Sequence, residues 1–512
     1  MIVAPQLQVS VIAPMIVVFA GVLLLPMAEV LLARRKTMLG TSLTRELRGK
    51  YLAAGSGVLL VVALILTLNA EVGAELVFNA SNPLIVLDGI TRFLIAVVLI
   101  GATLTVFVSG KFLADLRTSY GEYYALVLSS VVGMMFLVAA TDLMMLFLSL
   151  ELMSIPIYAL AGIRRSSLRS NEAALKYFLI GSFASAILLY GSALLYGATG
   201  SLSIYVIGAN FDPENPLSLL GAGMVLIGLA FKIASVPFHQ WAPDTYEGAP
   251  TTVSGLMATT VKVAAFGALV RVVSVALQPA ADATYGILWI LAVLSMTVGN
   301  VMAIVQGNAK RMLAYSSIAH AGYLLVGVLV GGTSGHAAVL FYLLVYTFMT
   351  IGAFTVIAIL ARNGEEYDRI DDLAGLIQTR PFPAVVMAIC MFSLAGIPFT
   401  AGFMGKFQLF LAAIERGTAT ADTWLYAIAI IGVLNSAVSL AYYLRVPVVM
   451  FMQPPPKDAA DKQRLSFFEY SVLGICAAAI LLLGVVPQNV FVIALDVDVL
   501  AFARDAAASF AP

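Results

Sequence analysis

Five ionisable side chains stand inside long apolar runs: Glu151 in LFLSLELMSIPIY, and Lys176, Lys232, Lys262 and Lys406. A charge at the centre of a membrane helix costs roughly 2.5–3.5 kcal/mol on insertion scales, so each such residue implies a use or a partner. Lysine is informative by itself. Its pKa falls when the ammonium is desolvated and rises beside a carboxylate, whereas arginine stays charged. A row of buried lysines, each able to change protonation when a neighbouring charge moves, is suited to passing protons. The alternative is that each belongs to a structural ion pair or reaches the interface from near a helix end. Lys176 lies near an end of its run, and Glu151 could simply neutralise a lysine.

Two of the lysines accompany prolines within apolar runs. Lys232 precedes Pro237 in FKIASVPFHQW, and Lys406 follows Pro398 in LAGIPFTAGFMGKF. The segments A-S-V-P-F at 234–238 and A-G-I-P-F at 395–399 are alike. Small residues with a proline inside a span free backbone groups and break the helix where it lines a polar cavity. A pair of packing kinks would need no lysine beside it.

The elements that must carry these residues are membrane helices. Of 512 residues, 61% are hydrophobic and 11% charged, and mean hydropathy is +0.99; a soluble domain is about 25% charged. Apolar runs of about 20 residues, enough to cross a bilayer, recur along the chain, and the short alternating segments of a membrane barrel do not. The expectation is an all-α polytopic membrane protein of about 14 helices. The spans are 9–33, 52–71, 83–108, 122–140, 142–162, 172–198, 216–238, 250–277, 284–306, 309–330, 335–361, 382–412, 423–449 and 466–487. The breaks around Asp142 and Lys310 are the least marked. The first run is too long for a signal-peptide core and lacks a basic start, so it reads as a retained helix.

Orientation follows from the basic residues. Arg34, Arg35, Lys36, Arg45, Arg48 and Lys50 crowd the first loop. Every second loop after it is basic too: Lys111 and Arg117; Arg164, Arg165 and Arg169; Lys310 and Arg311; Arg362, Arg369 and Arg380; Arg445, Lys457, Lys462 and Arg464. Arg416 and Arg504 are the exceptions on the other side, and Arg92 and Arg271 lie near span ends, from which they can snorkel to the interface. Both termini are therefore expected on the non-cytoplasmic side. The proline breaks fall in the seventh and twelfth spans, five apart and so oppositely directed, which points to two inverted five-helix repeats, each with a broken helix. The expected organisation is N-terminal helices 1–3 over 1–121, a first repeat over 122–280 (helices 4–8), a second over 281–450 (helices 9–13), and helix 14 with a tail over 451–512.

Zero net charge gives no bulk attraction to nucleic acid. Cys390 and Cys476 lie in apolar runs without a C-x-x-C pair and read as packing residues. The histidines at 239, 320 and 336 are scattered, and neither a Walker lysine loop nor a Rossmann glycine fingerprint occurs. No cofactor or metal is expected in this chain. Redox chemistry or ATP hydrolysis, if either drives it, belongs to another chain.

At FKIASVPFHQWAPDTYEGAPTTVSGLMATTVKVAAF the sequence resembles the antiporter-like subunits of respiratory complex I, and within them the subunit N branch of the bacterial proton-pumping NADH–quinone oxidoreductase. NEAALKYFLIGSFASAILLYG, AKRMLAYSSIAHAGYLL and SLAGIPFTAGFMGKF are similar to the same branch. The likeness runs from about residue 83 to about 450. The Asp244–Pro250 loop and the lysine at 262 resemble subunit N, where subunits L and M and sodium/proton antiporter subunits tend to A-M-x-G-P-T-P and more often a histidine. Thr251–Thr252 depart from the family, in which a proline usually follows the first threonine.

The resemblance implies roles residue by residue. Glu151 matches a fifth-helix glutamate that pairs with the lysine of the broken seventh helix, here Lys232. Lys176 matches a sixth-helix lysine, Lys262 the central eighth-helix lysine, Lys406 the lysine of the broken twelfth helix, and His239 a histidine after the seventh-helix break. The implied function is proton translocation in a bacterial inner membrane, coupled to quinone reduction in partner subunits that hold the flavin and iron–sulfur clusters. The implied neighbours are an antiporter-like subunit M and small membrane-arm subunits. A cation/proton antiporter subunit and a structural spacer of the membrane arm are the competing readings.

Overall fold

The computed structural model describes residues 6–7, 9–34, 45–70, 73–77, 83–116, 121–362, 364–455, 465–485 and 499–508. Arg35, Lys36, Arg117, Lys457, Lys462 and Arg464, used above for orientation, lie outside them, as do parts of the 451–512 segment. Among the described residues, 12 helices are long and apolar enough to cross a membrane.

Helices α1 (Val9–Arg34) and α2 (Arg45–Asn69) pack on each other, α1 also on α4 and α2 on α3. Then follow α3 (Gly89–Asp115), α4 (Gly121–Ala139), α5 (Leu143–Ala161), α6 (Leu168–Thr199) and the short α7 (Ile204–Asn210). The seventh expected span, 216–238, holds only α8 (Pro216–Lys232) and the break after it, and a separate short helix, α9 (Trp241–Gly248), follows. Next, α10 (Thr251–Leu256) and α11 (Lys262–Arg271) run as one path interrupted by π-helical turns at Met257–Val261 and Val272–Ala276. After α12 (Ala281–Ile304), α13 (Ala309–Val330), α14 (Gly332–Ala358) and the short α15 (Leu376–Thr379), the twelfth expected span is two helices, α16 (Pro381–Ala395) and α17 (Ala401–Thr420). Two further long helices, α18 (Thr423–Met452) and α19 (Phe467–Val485), and a final helix, Val499–Ala508, complete the described chain.

Capping aspartates and asparagines set the ends. Asp88 accepts from Thr91 N at the start of α3, Asp142 from Met144 N and Met145 N at the start of α5, and Asn308 from Arg311 N at the start of α13. The two weakly marked breaks are therefore fixed by side-chain caps. The third span was expected to begin at 83, but Ile85–Leu87 is instead the edge of a small antiparallel sheet with Ala74–Val77 and Gln6–Leu7. The all-α expectation is corrected to that extent.

The centre is made by α13, buried throughout except at Arg311 in its first turn, with α14 and Thr251–Ala276 nearly so. Small residues bring backbones close, as membrane helices require without a hydrophobic force between them. On α4, a Cβ at Gly133 would lie 2.3 Å from Met153 N on α5. Arg271 does not snorkel. It is 2% exposed and donates to Asp88 at 2.7 Å and to Thr91 at 2.8 Å. An arginine at the end of α11 finds a capping carboxylate closer than the interface.

Candidate functional site

Lys232 is the last residue of α8, at the lip of the first break, and is 4% exposed. Its Nζ donates to Ser154 Oγ at 2.7 Å and Tyr177 Oη at 3.1 Å, and lies 5.2 Å from the Tyr177 ring centre. Such a contact offsets part of the desolvation of a cation. Glu151, the expected partner, is not in an ion pair with it. The carboxylate takes a short hydrogen bond from Ser185 on α6, while Ser154, three residues on, receives the ammonium. Glu151 remains within electrostatic reach of Lys232.

Lys262 opens α11 directly after the first π-turn and is 2% exposed. The extra residue of a π-turn re-aims the side chains beyond it. Its Nζ donates to Ser317 Oγ at 2.5 Å and to the Ser317 carbonyl, 5.7 Å from the Tyr346 ring centre. Tyr246 on α9 lies beside Ser317. Since Tyr246 and Tyr177 both pack on Trp241, aromatic contacts join the surroundings of Lys232 and Lys262.

Lys406 sits one turn into α17, 4% exposed. The second break leaves the carbonyls ending α16 without helical partners, and Lys406 Nζ donates to two of them, Leu394 O at 2.9 Å and Ala395 O at 3.1 Å, and to Ser436 Oγ at 2.9 Å. It lies 4.9 Å from the Tyr323 ring centre. At the first break a freed carbonyl, Phe231 O, takes the Trp241 indole N–H instead. Pro237 and Pro398 lie within the breaks, where Ala234 (φ 57°) and Phe399 (φ 68°) adopt left-handed backbone. That conformation is uncommon for residues with a side chain and clusters at functional sites.

Between Lys262 and Lys406 stands His320, 1% exposed, which sequence reasoning left among scattered histidines. Its Nδ1 hydrogen-bonds Tyr342 Oη at 2.5 Å and its Nε2 Tyr443 Oη at 2.9 Å, and both lysines act on it electrostatically. The signal was present in AKRMLAYSSIAHAGYLL: His320 is three residues from Ser317 and so on the same helix face. Amines, hydroxyls and an imidazole in series, with no carboxylate among the described residues in contact with the three lysines, can each hold or release a proton.

Lys176 and His239 are not drawn into this series. Lys176 is 41% exposed and pairs with Glu172 and Asp244, each at 2.7 Å. Asp244 also binds Arg311 at 2.6 Å, in a surface charge network. His239 is half-buried beyond the first break. Lys310, counted from sequence as a loop residue, is 2% exposed. It donates to Ala249 O at 2.9 Å and pairs with Glu366 at 3.1 Å and Asp368 at 3.5 Å. Glu366 in turn binds Arg164 at 3.0 Å and caps α10 through Thr251 N at 3.1 Å. That cap starts the eighth helix at Thr251 without the family's proline. Burial would push the Glu366 carboxyl up, but Lys310, Thr251 and Arg164 outweigh it and hold it below its ordinary range.

Residues 140–434 match the family model described as NADH:quinone oxidoreductase/Mrp antiporter, TM. The chain is 47% identical over 411 residues to NADH-quinone oxidoreductase subunit N of Trichlorobacter lovleyi, covering 79% of this chain and 82% of that protein. It is 40% identical over 508 residues to subunit N 1 of Sorangium cellulosum, covering 96% and 97%. A chain of Thermus thermophilus respiratory complex I with bound aureothin has a similar structure, with TM-score 0.73 and 34% identity over 92% of this chain and 97% of that one.

Proposed function

The chain belongs to the NADH–quinone oxidoreductase subunit N family of antiporter-like membrane subunits, and from that premise we propose that it conducts protons across the membrane through Glu151, Lys232, Lys262, His320 and Lys406. One observation carries this reading. Three lysines, each no more than 4% exposed, lie at membrane depth with Nζ held by hydroxyls, carbonyls and tyrosine rings rather than by a carboxylate. A lysine so placed is not tied to its charge. A change of charge nearby shifts its protonation, and its proton passes to the next site.

Glu151 biases Lys232 at one end, Lys262 is the central relay, and Lys406 delivers toward the other side. Pro237 and Pro398 keep the two breaks open, and Lys176 and His239 serve proton entry at the cytoplasmic edge and the first break. The broken helices count as the seventh and twelfth of fourteen spans, in two inverted repeats over 122–280 and 281–450, after helices 1–3 and before helix 14. Both termini then lie on the periplasmic side of a bacterial inner membrane. The energy comes from quinone reduction by NADH in subunits that hold the flavin and iron–sulfur clusters. The signal reaches this chain through an adjoining antiporter-like subunit M and small membrane-arm subunits.

The test is NADH-driven proton pumping by the assembled complex in vesicles. Lys262→Ala and Lys232→Ala should lower pumping and quinone reduction together while the complex still assembles. Normal pumping by an assembled Lys262→Ala complex would sink the relay. Sodium-driven exchange independent of quinone reduction would favour an antiporter instead.

A further inference from the structure

A cavity of about 440 Å³ lies at the end of the molecule opposite Lys310, between the end of the α11 path, α12, the α13–α14 turn, α17 and the final helix. Its lining includes exposed Thr333 and Arg416, so it opens at the surface, and it also includes His336, 5% exposed. His336 Nε2 and Ser274 Oγ are 2.9 Å apart. Ser274 belongs to the second π-turn, Val272–Ala276. The two π-turns of this path thus each adjoin a buried basic side chain, Lys262 and His336.

His336 shares its helix with one member of the series of protonatable groups. Tyr342, bonded to His320, is six residues along the same helix, about 9 Å of rise. The level between is apolar, where Val339 and Leu409 close on Gly327. Facing the cavity, Arg416 on α17 supplies a positive charge, and Tyr285 on α12 is bound to Asp422 at 2.6 Å. Glu415 and Arg504 line a separate, smaller cavity.

We propose that His336 is the last proton-transfer group of the pathway: water entering the apolar level carries the proton across from the Lys406–His320–Tyr342 cluster, and His336 takes it and releases it into the cavity. The imidazole gains one proton and returns it, so it ends the cycle neutral. Arg416 at the mouth favours release by repelling the imidazolium. This rests on the proton-conduction reading above.

The experiment uses the assembled complex in vesicles, with His336→Ala, His336→Gln and, alongside them, Lys262→Ala. His336→Ala should slow pumping by about tenfold or more, set below the roughly 10²–10⁴-fold of a positioned acid–base group because the cavity leaves a slower route. His336→Gln should be as slow, because an amide keeps a hydrogen bond to Ser274 but carries no proton. Imidazole added on the cavity side should restore pumping in His336→Ala, and substituted imidazoles should restore it in order of their pKa. Normal pumping in either variant overturns the proposal, as does a loss that imidazole leaves uncorrected. If His336→Ala does not assemble, His336→Gln decides. Normal pumping in Lys262→Ala would instead remove the conduction reading itself.

Discussion

Lys310 and Lys262 are both lysines 2% exposed in the same helical core, but their surroundings differ in kind. Lys310 faces Glu366 and Asp368, and Glu366 reaches on to Arg164 and Thr251, so charges of both signs close on each other and tie the α5–α6 loop, α10, α13 and the 362–370 loop together. Lys262 faces Ser317 and a tyrosine ring. A buried cation with carboxylates is fixed in its charged form and serves the fold, and breaking such a pair is costly. A buried cation with hydroxyls can lose its proton at little electrostatic cost. Burial therefore does not separate the two roles; the partner does.

The sharpest way to break this comparison is to exchange each lysine for arginine, which carries the charge but does not give up its proton. Lys262→Arg should abolish pumping, a fall of about 10²-fold or more as expected for a lost proton-transfer group, measured as NADH-driven acidification of vesicles. Lys310→Arg should retain most pumping, since guanidinium pairs well with carboxylates. Equal effects of the two substitutions would collapse the distinction.

Removing the charge reverses the order of harm to the fold. Lys310→Ala leaves Glu366 facing Arg164 alone and should cost about 3–5 kcal/mol, the range for breaking a buried pair, read as a lower melting temperature and less assembled subunit. Glu366 adds a pH signature. Its carboxyl is held below the ordinary 4.5, so its contribution is complete above that value and lost as pH falls through the depressed one. The acid limb of thermal stability should therefore be shallower in Glu366→Gln than in the parent.

Much of the proposed series was legible in the sequence because its signal is local. Lys232, Lys262 and Lys406 stand out against apolar runs, and Pro237 and Pro398 mark the breaks. What was not legible depends on pairing across the chain. Lys310 looked like a loop charge because Glu366 lies 56 residues away. His320 looked scattered because Tyr342 and Tyr443 reach it from other helices. Arg271 looked like an interface residue until Asp88, 183 residues distant, was found beside it. The expected Glu151–Lys232 pair failed in the opposite sense: the two residues are neighbours, but Ser154 and Ser185 take their hydrogen bonds.

That geometry gives Glu151 an intermediate place. In the proposed pathway it biases Lys232 through space rather than by contact, so Glu151→Gln should slow pumping without abolishing it and should leave assembly unchanged. Ser154→Ala, which removes a direct hydrogen bond to Lys232, should have a comparable effect. Measured together in a double-mutant cycle, the two substitutions should be non-additive, because both act on one ammonium. Strict additivity would mean that Glu151 works by a route that does not include Lys232.

The smallest effect is expected at Lys176, which tests where the series begins. Its ammonium is 41% exposed and shared between Glu172 and Asp244, with Arg311 competing for the same aspartate. Exposed pairs contribute about 0–1 kcal/mol and weaken with salt. If Lys176 only gathers protons at the surface, Lys176→Gln should slow pumping by no more than about threefold, within what an exposed pair is worth. The parent should approach the variant's rate as ionic strength rises and screening weakens the network. A loss as deep as that of Lys262→Arg, insensitive to salt, would instead place Lys176 inside the relay. It would also show that partner type alone does not sort the lysines of this molecule, since Lys176, like Lys310, is held by carboxylates.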